Sequence, residues 1–183
     1  GLVHSNLKPE PQPGQGKEGK ALHLSGILRT QMKLKEVKSR PVIFSPPIVA
    51  HLGKQVIYPN TINVIQGQAG VHKSRVAELI CSTLLKRDTC LNTLAGFEAS
   101  TEKSFTVCIV DTERNLNEQL PFALQSIQTK AGFQIDEHPA EFDFISLMDV
   151  PRKERFNALR EYLDHVREKF NTHIFIVLDV LTD

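Results

Sequence analysis

Two apolar runs that each end in aspartate do most to limit how this chain can fold: Phe105-Thr106-Val107-Cys108-Ile109-Val110-Asp111 and His173-Ile174-Phe175-Ile176-Val177-Leu178-Asp179. The first does not alternate apolar with polar, so it predicts a strand covered on both faces. Between the two runs lie positions at helical spacing. Leu120, Leu124, Ile127 and Ala131 share one face, with Asn117 placed to cap the start and Gly132 to end the turn. Phe142, Phe144, Ile145 and Leu147 mark a third strand, and Pro151 opens a helix carrying Phe156, Leu159, Leu163, Val166 and Phe170 at steps of three or four. Strands that alternate with helices predict an α/β protein in which helices flank a parallel sheet.

Upstream, Thr61-Ile62-Asn63-Val64-Ile65-Gln66 is rich in β-branched residues and predicts a strand ending at Gly67. The stretch from Ser74 to Lys86 places Val76, Leu79, Ile80, Leu84 and Leu85 on one helical stripe. Between them stands Gly67-Gln68-Ala69-Gly70-Val71-His72-Lys73-Ser74, which has the order of a phosphate-binding loop: strand, glycine turn, helix. Small residues let successive N–H groups converge on a phosphate at the positive end of the helix. Lys73 would reach the β- and γ-phosphate oxygens of a nucleotide, and the Ser74 hydroxyl would complete the shell of a bridging Mg²⁺. His72 occupies the place where the pattern GxxxxGK[ST] has a glycine.

Two acidic strand ends extend the pattern. Asp179 closes a strand where a carboxylate can hold Mg²⁺ through water at the carboxyl edge of a parallel sheet. Glu113 follows Asp111-Thr112 at the end of its strand, where a carboxylate could polarise a water for attack on the γ-phosphate. Either one alone reads equally well as a solvated strand end, so the weight lies in the joint order Lys73-Ser74, Glu113, Asp179.

Charge is unevenly spread. Residues 1–40 hold eight Lys/Arg against three Glu, whereas residues 41–183 hold fourteen against eighteen acids. The predicted organisation is a flexible basic N-terminal arm over 1–40 and a nucleotide-binding domain over 41–183. Residues 8–20 combine proline, glycine and charge with no apolar residue and predict disorder. From Ala21 to about Lys38, Leu22, Leu24, Ile27, Leu28, Met32 and Leu34 suggest a short amphipathic helix. A basic arm can lie along nucleic acid, though a solvated linker has the same composition. Cys81, Cys90 and Cys108 lack CxxC spacing and read as reduced thiols. No run reaches the ~20 apolar residues that span a bilayer, and the N-terminus lacks a signal-peptide core, so a cytoplasmic protein with no membrane contact is expected. His51, His138, His165 and His173 show no ligand spacing, which makes core or surface roles the simpler reading.

Ile109-Val110-Asp111-Thr112-Glu113 resembles the strand of RecA-like P-loop ATPases that bears the catalytic glutamate, and Ile176-Val177-Leu178-Asp179 resembles their Walker B strand. Gly67, Gln68, Ala69, Gly70, Val71, His72, Lys73, Ser74 and Arg75 then stand as the Walker A nucleotide-binding loop. With the ending Leu178-Asp179-Val180-Leu181-Thr182-Asp183, the loop looks like that of ATPase-like proteins of bacterial mobilizable transposons, related to RepA- and DnaB-type helicases. The resemblance covers about residues 41–183. It implies a RecA-like P-loop core that uses ATP and Mg²⁺, with Glu113 and Lys73 catalytic and Ser74 and Asp179 on the metal. It also implies DNA and other mobilization or transposition proteins as partners, and a homo-oligomeric ring. In that family a further strand follows Walker B and lies between it and the loop strand, so a chain ending at Asp183 is expected to be a C-terminally incomplete core. The expected activity is ATP hydrolysis in mobilizing or replicating mobile DNA. The alternative is a nucleotide-responsive adaptor that binds without hydrolysing and recruits a partner.

Overall fold

The computed structural model describes residues 15–68, 71–100 and 104–179, with side chains from residue 23 onward. The disorder expected over residues 8–14, the loop residues Ala69 and Gly70, and the ending 180–183 lie outside the described residues. The chain divides into two units at Phe44 and Ser45.

In the first unit, helix α1 runs from Gln15 to Lys38. It begins inside the stretch expected to be disordered, a correction with a simple cause. The last proline is Pro13, and Gly16 and Gly19 beyond it disfavour helical turns without excluding them, so the helix of Ala21–Lys38 extends backwards to Gln15. Its apolar residues, Leu24, Ile27, Leu28, Met32 and Leu34, are all exposed.

The second unit holds two sheets. In the smaller, β1 (Val49–His51) pairs antiparallel with both β2 (Lys54–Ile57) and β3 (Phe97–Ala99). Leu52 and Gly53 join β1 to β2 with φ of 49° and 75°, the positive values that a two-residue hairpin loop needs to match the twist of its strands.

The larger sheet has the order β5-β4-β6, with β4 (Phe105–Asp111) between β5 (Phe142–Ser146) and β6 (His173–Asp179), all parallel. Every residue of β4 is buried, as its unbroken apolar run predicts. Helices α2 (Lys73–Leu85) and α3 (Gln119–Lys130) cover one face. Cys81 and Leu85 of α2 and Ile127 of α3 close with Val107, Ile109 and Phe142 into one core. Helix α4 (Arg155–Lys169), entered through a 3₁₀ turn at Arg152–Glu154, meets the larger sheet through Tyr162, which lies beside Cys108 and Asp143. Its Val166 is fully buried, and its Tyr162 hydroxyl donates to Asp143 Oδ2 at 2.7 Å on the neighbouring strand. Helices on both faces of a parallel sheet are the α/β arrangement expected from the sequence.

Two local expectations are corrected. Residues 61–68 form no strand. β-Branched residues supply propensity, but a strand also needs a ladder partner and a buried face. Here Ile62 is 95% exposed and Val64 72%. The start of α3 is served by Asn115 rather than Asn117: Asn115 Oδ1 accepts the backbone N–H groups of Asn117 (2.7 Å) and Glu118 (3.2 Å). Gly132 does follow the helix as foreseen, with φ of 93°.

Candidate functional site

The parallel register aligns the carboxyl ends of the strands, placing Asp111 opposite both Asp179 and Ser146. At such an edge the strand ends and the helix starts face a common crevice. Ser74 in the first turn of α2 and Asp179 at the end of β6 line one narrow cleft, together with Glu78, Cys81, Arg114 and Val177. Two residues far apart in sequence, singled out for the same ion, are thus brought to the same walls.

The N-terminus of α2 is open in an electrostatic sense. No side chain caps it, and its first turn carries no acidic residue. A helix end of this kind carries partial positive charge. Lys73 begins the helix, and its ammonium donates to the backbone carbonyls of Gly67 (2.6 Å) and Gln68 (2.8 Å). The lysine thus closes the loop on itself. A Cβ added at Gly67 would lie 2.6 Å from Cγ2 of the exposed Val71 side chain, which would have to shift to make room. His72 takes φ of 59° and ψ of 31°, a left-handed conformation that glycine adopts without strain and a residue with a Cβ uncommonly. Val71 and Arg75 flank these positions and are exposed.

At the strand ends the dominant feature is one that sequence reasoning missed. Arg114 gathers three carboxylates: Nε meets Asp111 Oδ2 at 2.5 Å, Nη2 meets Asp179 Oδ2 at 3.1 Å, and Nη1 lies 3.9 Å from Glu78 Oε1. Asp111, only 1% exposed, also accepts the N–H groups of Glu113 (3.0 Å) and Arg114 (2.8 Å) through Oδ1, which fixes the turn after β4. The Thr112 hydroxyl donates to the Asp179 carbonyl at 3.2 Å, tying that turn to the end of β6. Lys130 stands 3.9 Å from the second oxygen of Glu78. Burial pushes Glu78 above the usual carboxylate range, and the cations Lys130, Arg114 and Arg75 pull against that rise. Arg114 directly follows the Asp-Thr-Glu triplet, and Glu78 lies one turn beyond Ser74 on α2. Both were adjacent to residues already singled out, but nothing in their spacing announced that they meet.

Glu113 sits half-buried at the same sheet edge and is not on the wall of the cleft shared by Ser74 and Asp179. Among the described residues no group of three His, Cys, Asp or Glu is placed to hold a metal ion. A divalent cation here would thus take its ligands from Ser74, Asp179 and the oxygens of a bound phosphate. That is the sparse protein set usual for Mg²⁺. Ser74 and Asp179 are donor types that Mg²⁺ accepts, but the cleft they share encloses only about 10 Å³ and is lined mostly by apolar side chains, so a phosphate would have to bind outside it, at the helix start.

Among the described residues no helix is long and apolar enough to cross a membrane. Comparison with models of protein families, with curated proteins and with solved structures finds no match.

Proposed function

We propose that the chain binds a nucleoside triphosphate, ATP, with Mg²⁺ at the N-terminus of α2 and hydrolyses it as a RecA-like P-loop ATPase. The observation that carries this reading is the shared cleft of Ser74 and Asp179 at the carboxyl edge of the parallel sheet, directly beside an uncapped helix start. In it, Lys73 leaves the carbonyls of Gly67 and Gln68 to meet phosphate oxygens, while Gly67, Gln68, Ala69, Gly70, Val71, His72 and Arg75 line the loop. Ser74 and Asp179 hold the cation, which when bound neutralises phosphate charge. Glu113, two residues beyond the end of β4 and off the wall of the cleft, is the carboxylate assigned to orient the attacking water. Following the resemblance drawn from the sequence, the work so driven is mobilization, transposition or replication of mobile DNA in the cytoplasm. DNA, other mobilization or transposition proteins and further copies of the chain in a ring are the partners.

One observation favours a second reading, binding without turnover by an adaptor that recruits a partner protein. No strand precedes the loop in residues 61–68. A loop not anchored to the sheet positions the γ-phosphate less tightly than in-line attack requires. Nucleotide binding is common to both readings and can be measured directly. At a hundredfold excess over its Kd, ATP with Mg²⁺ should stabilise the protein by about 2.7 kcal/mol, read as a rise in Tm. Lys73→Ala should abolish the rise. No shift in the native protein at millimolar ATP·Mg²⁺ would sink both readings, whereas a shift without phosphate release selects the adaptor.

A further inference from the structure

Helix α1 carries two unmet demands at once. Leu24, Ile27, Leu28, Gln31 and Leu34 follow one another at steps that keep them on one side of a helix, with Met32 at the margin. All five apolar members of this side face water, Ile27 at 64% and Met32 at 72% exposure. Arg29 and Lys33 stand on the opposite side, and Lys35 and Lys38 extend the apolar side by one turn. Over residues 23–40 five exposed cations face a single carboxylate, Glu36, which Arg40 already engages at 3.3 Å. A nucleic acid would satisfy the cations and leave the apolar side in water. A second copy of α1 would cover the apolar side while bringing together two helices of the same sign. An anionic lipid surface answers both demands, since acyl chains take the apolar residues and headgroup phosphates take the cations.

We infer that α1 is a surface anchor for an anionic bilayer. It lies in the headgroup layer with Leu24, Ile27, Leu28, Met32 and Leu34 turned toward the acyl chains. Lys35 and Lys38, on the same side, reach back to the phosphates on their long stems. Arg29 and Lys33 face away, yet a helix is only ~10 Å thick, so both remain within about one Debye length of the lipid charge. Among the described residues no helix can cross a bilayer, and binding of this kind requires none. The expectation of no membrane contact rested on the lack of a spanning run, which a surface helix does not need. The anchor is independent of the nucleotide site, and either can fail without the other.

The chain contains no tryptophan, so Met32→Trp places a lone fluorescent reporter on the apolar side. Mixed with vesicles of phosphatidylcholine and phosphatidylglycerol, the full chain should sediment with the lipid and its emission should shift to the blue. Vesicles of phosphatidylcholine alone, or added salt, should weaken both effects. Each cation removed, as in Lys35→Ala or Lys38→Ala, should lower partitioning about fivefold. Ile27→Asp should lower it about tenfold or more. No emission shift with anionic vesicles overturns the anchor, as does binding that Ile27→Asp leaves unchanged. Duplex DNA bound in place of vesicles, insensitive to Ile27→Asp, overturns it and assigns the cations to nucleic acid. A dimer abolished by Ile27→Asp, without vesicle binding, overturns it in favour of a second copy. Should Ile27→Asp lower the helical circular dichroism, Leu24→Gln, a good helix former, takes its place. A smaller loss is expected from it, and none at all overturns the anchor.

Discussion

His72 holds a left-handed backbone immediately before Lys73, a conformation that a residue with a Cβ adopts at a cost. For a residue with a Cβ the conformation costs about 1–2 kcal/mol, less for types such as His that visit it more often. His72→Gly should therefore raise stability by about 0.5–1 kcal/mol, the relief of strain being partly offset by the greater freedom of glycine in the unfolded chain. His72→Val, β-branched and poorly suited to positive φ, should lower it by about 1–2 kcal/mol. Urea unfolding of the two variants checks both signs. A destabilised glycine variant would mean that the imidazole makes interactions outweighing the strain. Arg114 shows the complementary case: an ordinary backbone position whose importance lies wholly in which three side chains surround it.

Among the elements, the end of α3 depends most on one position. Gly132 has φ of 93°, and a Cβ there would stand 2.7 Å from Cys90 Cβ, in the segment that returns beneath the helix. The Arg87 N–H binds the Ala131 carbonyl at 2.9 Å, and Asn92 Nδ2 donates to the Lys130 carbonyl at 3.1 Å. Gly132→Ala combines a left-handed alanine with a contact against backbone-anchored atoms. It should cost about 2–4 kcal/mol in chemical denaturation, where a loss under 1 kcal/mol would show that the segment yields easily.

The same elements show what periodicity can and cannot reveal. β4, β5, β6 and the three helices on the larger sheet were legible because each is long enough to display its period. The small antiparallel sheet was not: β1, β2 and β3 are three or four residues each, and the partner of β1 at Phe97–Ala99 lies far along the chain. Residues 61–66 misled for the opposite reason, since their β-branched composition is unmistakable and their exposure is set by partners that composition does not encode. At the site, Lys73, Ser74 and Asp179 could be picked out as residue types at strand and helix ends. Glu78 and Arg114 could not, because an ion cluster drawn from α2, β4 and β6 exists only after the sheet has closed.

For the whole molecule, the three cysteines serve as built-in reporters. Cys81 and Cys108 are fully buried and Cys90 is half-buried, and none is paired. Burial pushes the Cys108 thiol up to about 11 and raises Cys81 as well, so both are poor nucleophiles at neutral pH even when touched by reagent. In native buffer at pH 8 a thiol reagent should label one cysteine, Cys90, quickly. The other two should follow only as urea unfolds the chain, at concentrations that match the loss of circular dichroism. Rapid labelling of all three without denaturant would contradict the core in which Cys81 and Cys108 sit.

The middle position of β4 also carries a consequence for how the chain is made. Both of its neighbours, β5 and β6, come later in the sequence, and its pairing from Phe105↔His173 to Asp111↔Asp179 spans two helices and a strand. On a ribosome adding about 5–20 residues per second, the most apolar strand emerges and then waits several seconds for its second flank. Through that interval the nascent chain displays a bare hydrophobic ribbon. Helices α2 and α3, which flank it in sequence and share its core, are the native cover available to it before β6 is made.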